Sequence, residues 1–250
     1  MSDKGIGQFE HLELVREERL AIVRLARPDD GNALTTALLA ELVVALSMVD
    51  DASVLLLSAV GPDFSLGRPP ASYNEPLSSL QQAYQLVVTC NERLADFPGI
   101  TVSAVRGRAV GAGCSLACRC DLVLAGETAR FSFPELRNGV PPVIVAAYYA
   151  KRLPWRTFLD MVLTGREVPA DEAARLGLVS RVVPDHVLDR AAIELARDLA
   201  ALNPDPVRML KTFLHDSESL TAQHANRLAL SVLLDGLTRR QLATAAGGGE

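Results

Sequence analysis

Positive charge is in deficit in this 250-residue chain: 25 Lys and Arg stand against 30 Asp and Glu, a formal net charge of −5. No global field draws it to nucleic acid, so none is expected as a partner, and an anionic ligand must be met by local Arg, Lys or backbone N–H groups. Long apolar runs are missing as well. Nothing approaches the roughly 20 residues of a membrane span, and no membrane partner is expected. The opening MSDKGIGQFEHLELVREE lacks the apolar centre of a secretory leader, so the chain reads as cytoplasmic. Cysteine is confined to positions 90, 114, 118 and 120. In that compartment these are reduced thiols rather than a disulfide framework. HExxH and paired CxxC spacings are absent, and no metal site is expected.

What is present is an ordinary globular composition, 49% hydrophobic and 22% charged, with ample length for a core. Residues 9–16 and 19–25 read as a hairpin of two strands, followed by turn chemistry in RPDDGN at 27–32. Leu34, Leu38, Leu42 and Leu46 recur at helical spacing, with Thr35 or Thr36 as the cap. The short apolar runs 53–60, 100–105 and 121–126 suit strands buried on both faces. A helix at 76–96 ends at Pro98-Gly99, and a short one is expected at about 112–119. Alternating strands and helices make this an α/β chain. From about 143 onward the pattern is nearly all helical, broken at Pro154, over 164–184 and at Asn203-Pro204.

The stretch GRAVGAGCSLACRCDL at 107–122 concentrates glycine and cysteine. As a phosphate loop it fails, because the third glycine of GxGxxG falls on Leu116. As a metal site it fails on spacing: Cys114 and Cys118 share a helix face that Cys120 does not. A third reading uses the backbone. A strand ending in a glycine turn that opens a helix leaves N–H groups bare for a ligand oxygen, the arrangement that stabilises an oxyanion. A second loop of this kind, GPDFSLGRPP at 61–70, offers Gly67 and Arg68.

With RPDDGNAL, DFSLGR, VRGRAVGAGCSLACRCDLVLAGETARFSFPEL, NGVPP and LTGREVPADEAARLGLVSRVVP in order, the chain resembles the crotonase family of enoyl-CoA hydratases and isomerases. The resemblance implies a spiral of repeated βαβ turns over residues 1–190 and a helical trimerisation region at 191–250. It implies a homotrimer or homohexamer acting on an acyl-CoA. No cofactor is implied, since coenzyme A is part of the substrate. It places the oxyanion-hole N–H groups on Arg68 and Ala112 and an acid/base on Glu135. Ser115 stands where many hydratases carry a second glutamate. It is a catalytic candidate there, or else a packing residue of the helix. Contacts to substrate or CoA are implied at Arg27, Asp30, Leu66, Arg68 and Val143. The Arg68 side chain is offered to a CoA phosphate or a substrate carboxylate, or is solvated. Tyr73 and Tyr84 fall where the acyl pocket is lined, with Tyr148 and Tyr149 facing it from the other side, or else all four are core or interface aromatics; Arg239 or Arg240 stands in for a C-terminal basic contact. Besides an enolate-forming enzyme, the resemblance admits a lyase, decarboxylase or hydrolase on the same fold, or a non-catalytic acyl-CoA binder.

Overall fold

A computed structural model describes residues 4–5, 9–69 and 74–247. The chain divides into two compact units, Met1–Leu199 and Ala200–Glu250. The first is built on a seven-stranded sheet. Its strands are β1 (Lys4–Gly5), β2 (Leu12–Glu17), β3 (Leu20–Leu25), β4 (Val54–Ala59) and β5 (Ile100–Val105), with β7 (Leu122–Gly126) and β10 (Arg181–Val183). They lie in the order β1-β2-β3-β4-β5-β7-β10. β1, β2 and β3 pair antiparallel, and every later pairing is parallel. A second sheet joins β6 (Arg108–Val110), β8 (Arg130–Ser132) and β9 (Val168–Pro169) in the order β6-β8-β9.

The sequence dictates most of this directly. All six residues of β4 are buried, as a strand covered on both faces requires. Helix α1 (Thr36–Ser47) buries Leu38, Leu39, Leu42 and Leu46, and its first turn is capped by Thr35, whose Oγ1 accepts the Leu38 N–H at 3.2 Å. Such a cap contributes about 1 kcal/mol. α2 (Leu77–Ala95) buries Ala83, Val87, Cys90, Asn91 and Leu94, a stripe at helical spacing. α3 (Ala112–Arg119) follows the glycine stretch.

After 143 the chain is mainly helical, and the break read at 164–184 holds two short strands. α4 (Val143–Tyr149), α5 (Trp155–Thr164), α6 (Ala170–Arg175) and α7 (Leu188–Ala200) are interrupted by β9 and β10. β10 extends the large sheet by pairing parallel to β7. The second unit holds α8 (Pro204–Ser217) and α9 (Ala222–Gly247). Leu210, Leu214, Leu230, Leu233 and Leu237 are exposed on it. Among the described residues no helix is long and apolar enough to cross a membrane.

Candidate active site

Two loops meet where β4 and β6 end. The glycine turn follows β6 rather than β5, because a three-residue strand intervenes. The loop after β4 is zipped onto this segment: Phe64 N donates to Arg106 O (2.9 Å), Ser65 N to Arg108 O (3.1 Å), and Val110 N back to Ser65 O (2.9 Å). Buried Asn32 clips the same loop to the preceding turn. Its Nδ2 donates to Val60 O and Asp63 O, both at 2.9 Å, and its Oδ1 accepts Arg27 N at 2.8 Å. Leu34 N then donates to Gly67 O at 2.9 Å.

The glycines are there because the loops touch. A Cβ on Gly67, which has φ +75°, would stand 2.4 Å from Val110 O and 3.5 Å from Ala112 N. One on Gly113 would stand 2.7 Å from Ser65 O. Gly111 has φ +54°, and a Cβ there would lie 3.0 Å from Glu135 Oε1. The stretch therefore brings Arg68, Ala112 and Glu135 to one place. Among the described residues, neither the Arg68 N–H nor the Ala112 N–H donates to a backbone acceptor. Ala112 opens α3, where the first N–H groups have no partner within the helix and the dipole favours negative charge.

Asp63 braces this arrangement. Its Oδ1 accepts Arg108 N (2.8 Å) and Nε (3.1 Å), and its Oδ2 accepts Arg108 Nη2 (2.8 Å). The Arg108 guanidinium holds the Asp63 carboxyl below the usual carboxylate range. That contribution is complete above the unfolded carboxyl pKa of about 4 and is lost as pH falls through the lower folded value. Half of the Arg108 side chain is in water, which screens the pair. Asp63→Asn is therefore expected to cost about 1–2 kcal/mol at pH 7. Urea unfolding at pH 7 and pH 3 checks this, with the deficit shrinking at the lower pH.

A cavity of about 270 Å³ lies beside the glycine turn. Ala112 and Ser115 of α3, Glu135, and Tyr84 and Val87 of α2 line it, and the segment 140–145 closes it with Val140, two prolines and Val143. Glu135 is the one carboxylate among the described lining residues. It opens a 3₁₀ turn, Glu135–Asn138, directly after β8. Its Oε2 is buried without a hydrogen-bond partner among the described residues. Burial pushes its pKa up, opposed by a backbone hydrogen bond. Burial likewise raises the Tyr84 hydroxyl, whose proton stays on at neutral pH.

Ser115 lines the cavity but is fully buried, and its hydroxyl donates to Asn91 Oδ1 at 3.1 Å. Asn91 Nδ2 donates in turn to Val87 O at 2.8 Å. Tyr149 does not face the cavity. Its ring packs on Phe133 with centroids 5.7 Å apart, and its hydroxyl donates to Ser115 O at 2.9 Å. Tyr148 lies under Arg119, 4.3 Å from guanidinium carbon to ring centre. Tyr73 lies outside the described residues. Arg27 and Asp30 turn to each other (Nε to Oδ2, 2.8 Å), and Asp30 Oδ1 accepts Ala33 N. Leu66 packs on Gly31, and Val143 is exposed at the mouth of the cavity. Arg239 pairs with Asp235 one turn away. Among the described residues no three His, Cys, Asp or Glu side chains converge as a metal site requires. Cys90, Cys114 and Cys120 are buried free thiols, and Cys118 is a half-buried one.

Sequence reasoning did not single out Asn91 and Asn32. Asn91 sits in the apolar stripe of α2, and a polar residue in such a stripe is the available signal for a buried hydrogen-bonded group. Asn32 has φ +53°, a conformation that asparagine adopts more readily than most residues.

A family model described as enoyl-CoA hydratase/isomerase matches residues 15–239. The 2,3-dehydroadipyl-CoA hydratase of Escherichia coli (strain K12) is 33% identical over 219 residues, which cover 83% of this chain and 83% of that protein. The mitochondrial enoyl-CoA hydratase domain-containing protein 3 of Rattus norvegicus is 29% identical over 231 residues, covering 89% of this chain and 76% of that one. Among solved structures, an enoyl-CoA hydratase from Mycobacterium smegmatis matches with a TM-score of 0.85 at 26% identity, over 91% of both chains.

Proposed function

The chain belongs to the enoyl-CoA hydratase/isomerase family and has the crotonase fold, and on that premise we propose that it acts on an acyl-CoA thioester through an enolate, with Glu135 as its single acid/base. The thioester oxygen sits between the Arg68 and Ala112 N–H groups. Charge that develops on that oxygen meets two fixed donors and the positive end of α3, so the enolate is stabilised more than the ground state. Glu135 then takes a proton from one carbon of the acyl chain and returns it to another. A carboxyl with a raised pKa is suited to both directions of transfer near neutral pH.

The observation that carries this reading is the Glu135 carboxyl, whose Oε2 is buried and unpartnered among the described residues and whose Oε1 lies beside Gly111. Ser115 does not serve as a second acid/base in this scheme, because its hydroxyl proton is given to Asn91. One carboxylate suffices for a 1,3-proton shift, whereas hydration gains from a second group that holds the water. The reading therefore favours movement of a double bond over addition of water. Mass spectrometry of enoyl-CoAs incubated with the protein in D₂O tests it. A shifted double bond with deuterium incorporated supports the reading. A hydrated product, or cleavage to a shorter acyl-CoA, would transfer the site to another reaction of the family.

We propose in addition that association covers the exposed leucines of the second unit. A homotrimer or homohexamer is the proposed state. Light scattering should give three or six times the 26.8 kDa chain mass, and a monomer at micromolar concentration would refute it.

A further inference from the structure

We propose that Asn91 and Tyr149 are positioning residues, which act through Ser115 to hold the Gly111–Ala112 peptide so that the Ala112 N–H points at the thioester oxygen. This rests on the thioester reading above and adds the parts that aim its donor. The Ala112 N–H belongs to the same peptide group as the Gly111 carbonyl. In a trans peptide these two bonds point in opposite directions. Whatever fixes the Gly111 oxygen therefore fixes the direction of the Ala112 N–H. That oxygen accepts the Ser115 N–H at 2.9 Å, one helical turn further along α3.

α3 is too short to do this alone. Its eight residues fall well below the length at which a helix holds itself in water, and no side chain caps its first turn. It is braced from outside, at Ser115. The Ser115 hydroxyl donates to Asn91 Oδ1 of α2 at 3.1 Å, and the Tyr149 hydroxyl of α4 donates to Ser115 O at 2.9 Å. Both braces are themselves fixed. Asn91 Nδ2 donates to Val87 O at 2.8 Å, and the Tyr149 ring packs on Phe133. Asn91, Ser115 and Tyr149 are all buried, so water does not compete for these bonds. A buried polar network whose members are satisfied makes its surroundings rigid. Here polar side chains from two helices converge on one residue of a third, and that residue holds the carbonyl behind the donor.

The test uses Tyr149→Phe, which removes one oxygen and keeps the ring on Phe133, and Ser115→Ala, which releases Asn91. Loss of an oxyanion donor is associated with about 10²–10³ in kcat, and a misaimed donor is expected to cost less, about 10-fold in each variant. KM should stay nearly parental, because the donor matters most in the transition state. The pH profile should also stay parental, since neither change touches Glu135. Asn91→Ala should match Ser115→Ala, and the two together should cost no more than either, because both break one link. Infrared difference spectroscopy of a bound saturated acyl-CoA, isotope-labelled at the thioester carbonyl, gives a readout that a merely structural role would not move. The carbonyl band should lie lower in the parent than in water and return part of the way in each variant. An unmoved band in every variant would overturn the inference, whatever happens to stability, since these bonds would then hold the fold and not the donor. A parent band at its position in water would overturn the thioester reading itself. If Tyr149→Phe does not fold, Ser115→Ala and Asn91→Ala decide by the same band.

Discussion

Glu135→Gln is expected to lower kcat by about 10²–10⁴-fold, the range associated with a positioned general acid–base. The amide has nearly the same shape, so binding of the acyl-CoA should change little. Stability should move the other way. Burial raises the folded-state pKa of Glu135. Below the unfolded carboxyl pKa, about 4.3, both states are protonated and the site has no electrostatic cost. As pH rises from there through the raised folded value, ionisation increasingly favours the unfolded chain, and above it the cost is constant. The neutral variant escapes that cost. Its stability relative to the parent should grow across this acid window and then level off. Thermal unfolding at a series of pH values, beside steady-state rates, separates the two effects. A variant that lost activity because it was misfolded would lose stability too. Near-parental turnover by the variant would remove Glu135 from the chemistry.

Gly67→Ala is the second large effect. Alanine at φ +75° is strained, typically by about 1–3 kcal/mol. Strain alone would not touch chemistry. Here the new methyl would stand 2.4 Å from Val110 O, which is backbone and cannot rotate away. The two loops must move apart, and the Arg68 and Ala112 N–H groups with them. Loss of one oxyanion donor is associated with about 10²–10³ in kcat, and a loss of that size is expected. Gly177→Ala is the control. Gly177 has φ +81°, yet a Cβ there meets nothing within 4 Å. It should share the backbone strain and keep parental kcat. If both variants were equally active, the contact between the loops would be irrelevant to the site.

The large elements were legible because they are long enough to show a period or an unbroken apolar run. The buried strands at 54–59 and 100–105 and the leucine stripe of α1 are examples. β6 and β10 have three residues each, too few for any alternation to register; β10 forms on the edge of the longer β7, and β6 by pairing with the equally short β8. Thus β10 lies in the break at 164–184 with no strand pattern of its own, although it pairs with β7 some 57 residues earlier in the register Arg181–Leu124. The glycine stretch showed its purpose in part. GxG followed by a helix indicates bare N–H groups, but only the contact of Gly67 with Val110 shows that two loops are joined.

Side-chain fates were harder to read. Arg68 sits in a loop between glycine and proline, where an arginine is normally solvated. Its burial arises from Leu34 O, 34 residues away. Ser115 stands at a position where the resemblance allows chemistry. Its hydroxyl is nonetheless engaged by Asn91, 24 residues earlier on another helix. Neither pairing leaves a local trace, because each depends on which helix packs against α3 and on the path of the 63–68 loop.

The most direct measurement of the central claim is exchange of the protons next to the thioester carbonyl. Saturated short-chain acyl-CoAs would be incubated in D₂O with the parent, Glu135→Gln and Gly67→Ala, and deuterium counted by mass spectrometry. The account predicts exchange by the parent, slower exchange by Gly67→Ala, and exchange slowed at least about 10²-fold with Glu135→Gln. Undiminished exchange by Glu135→Gln would contradict it, because an enolate would then be forming without the carboxylate assigned to make it.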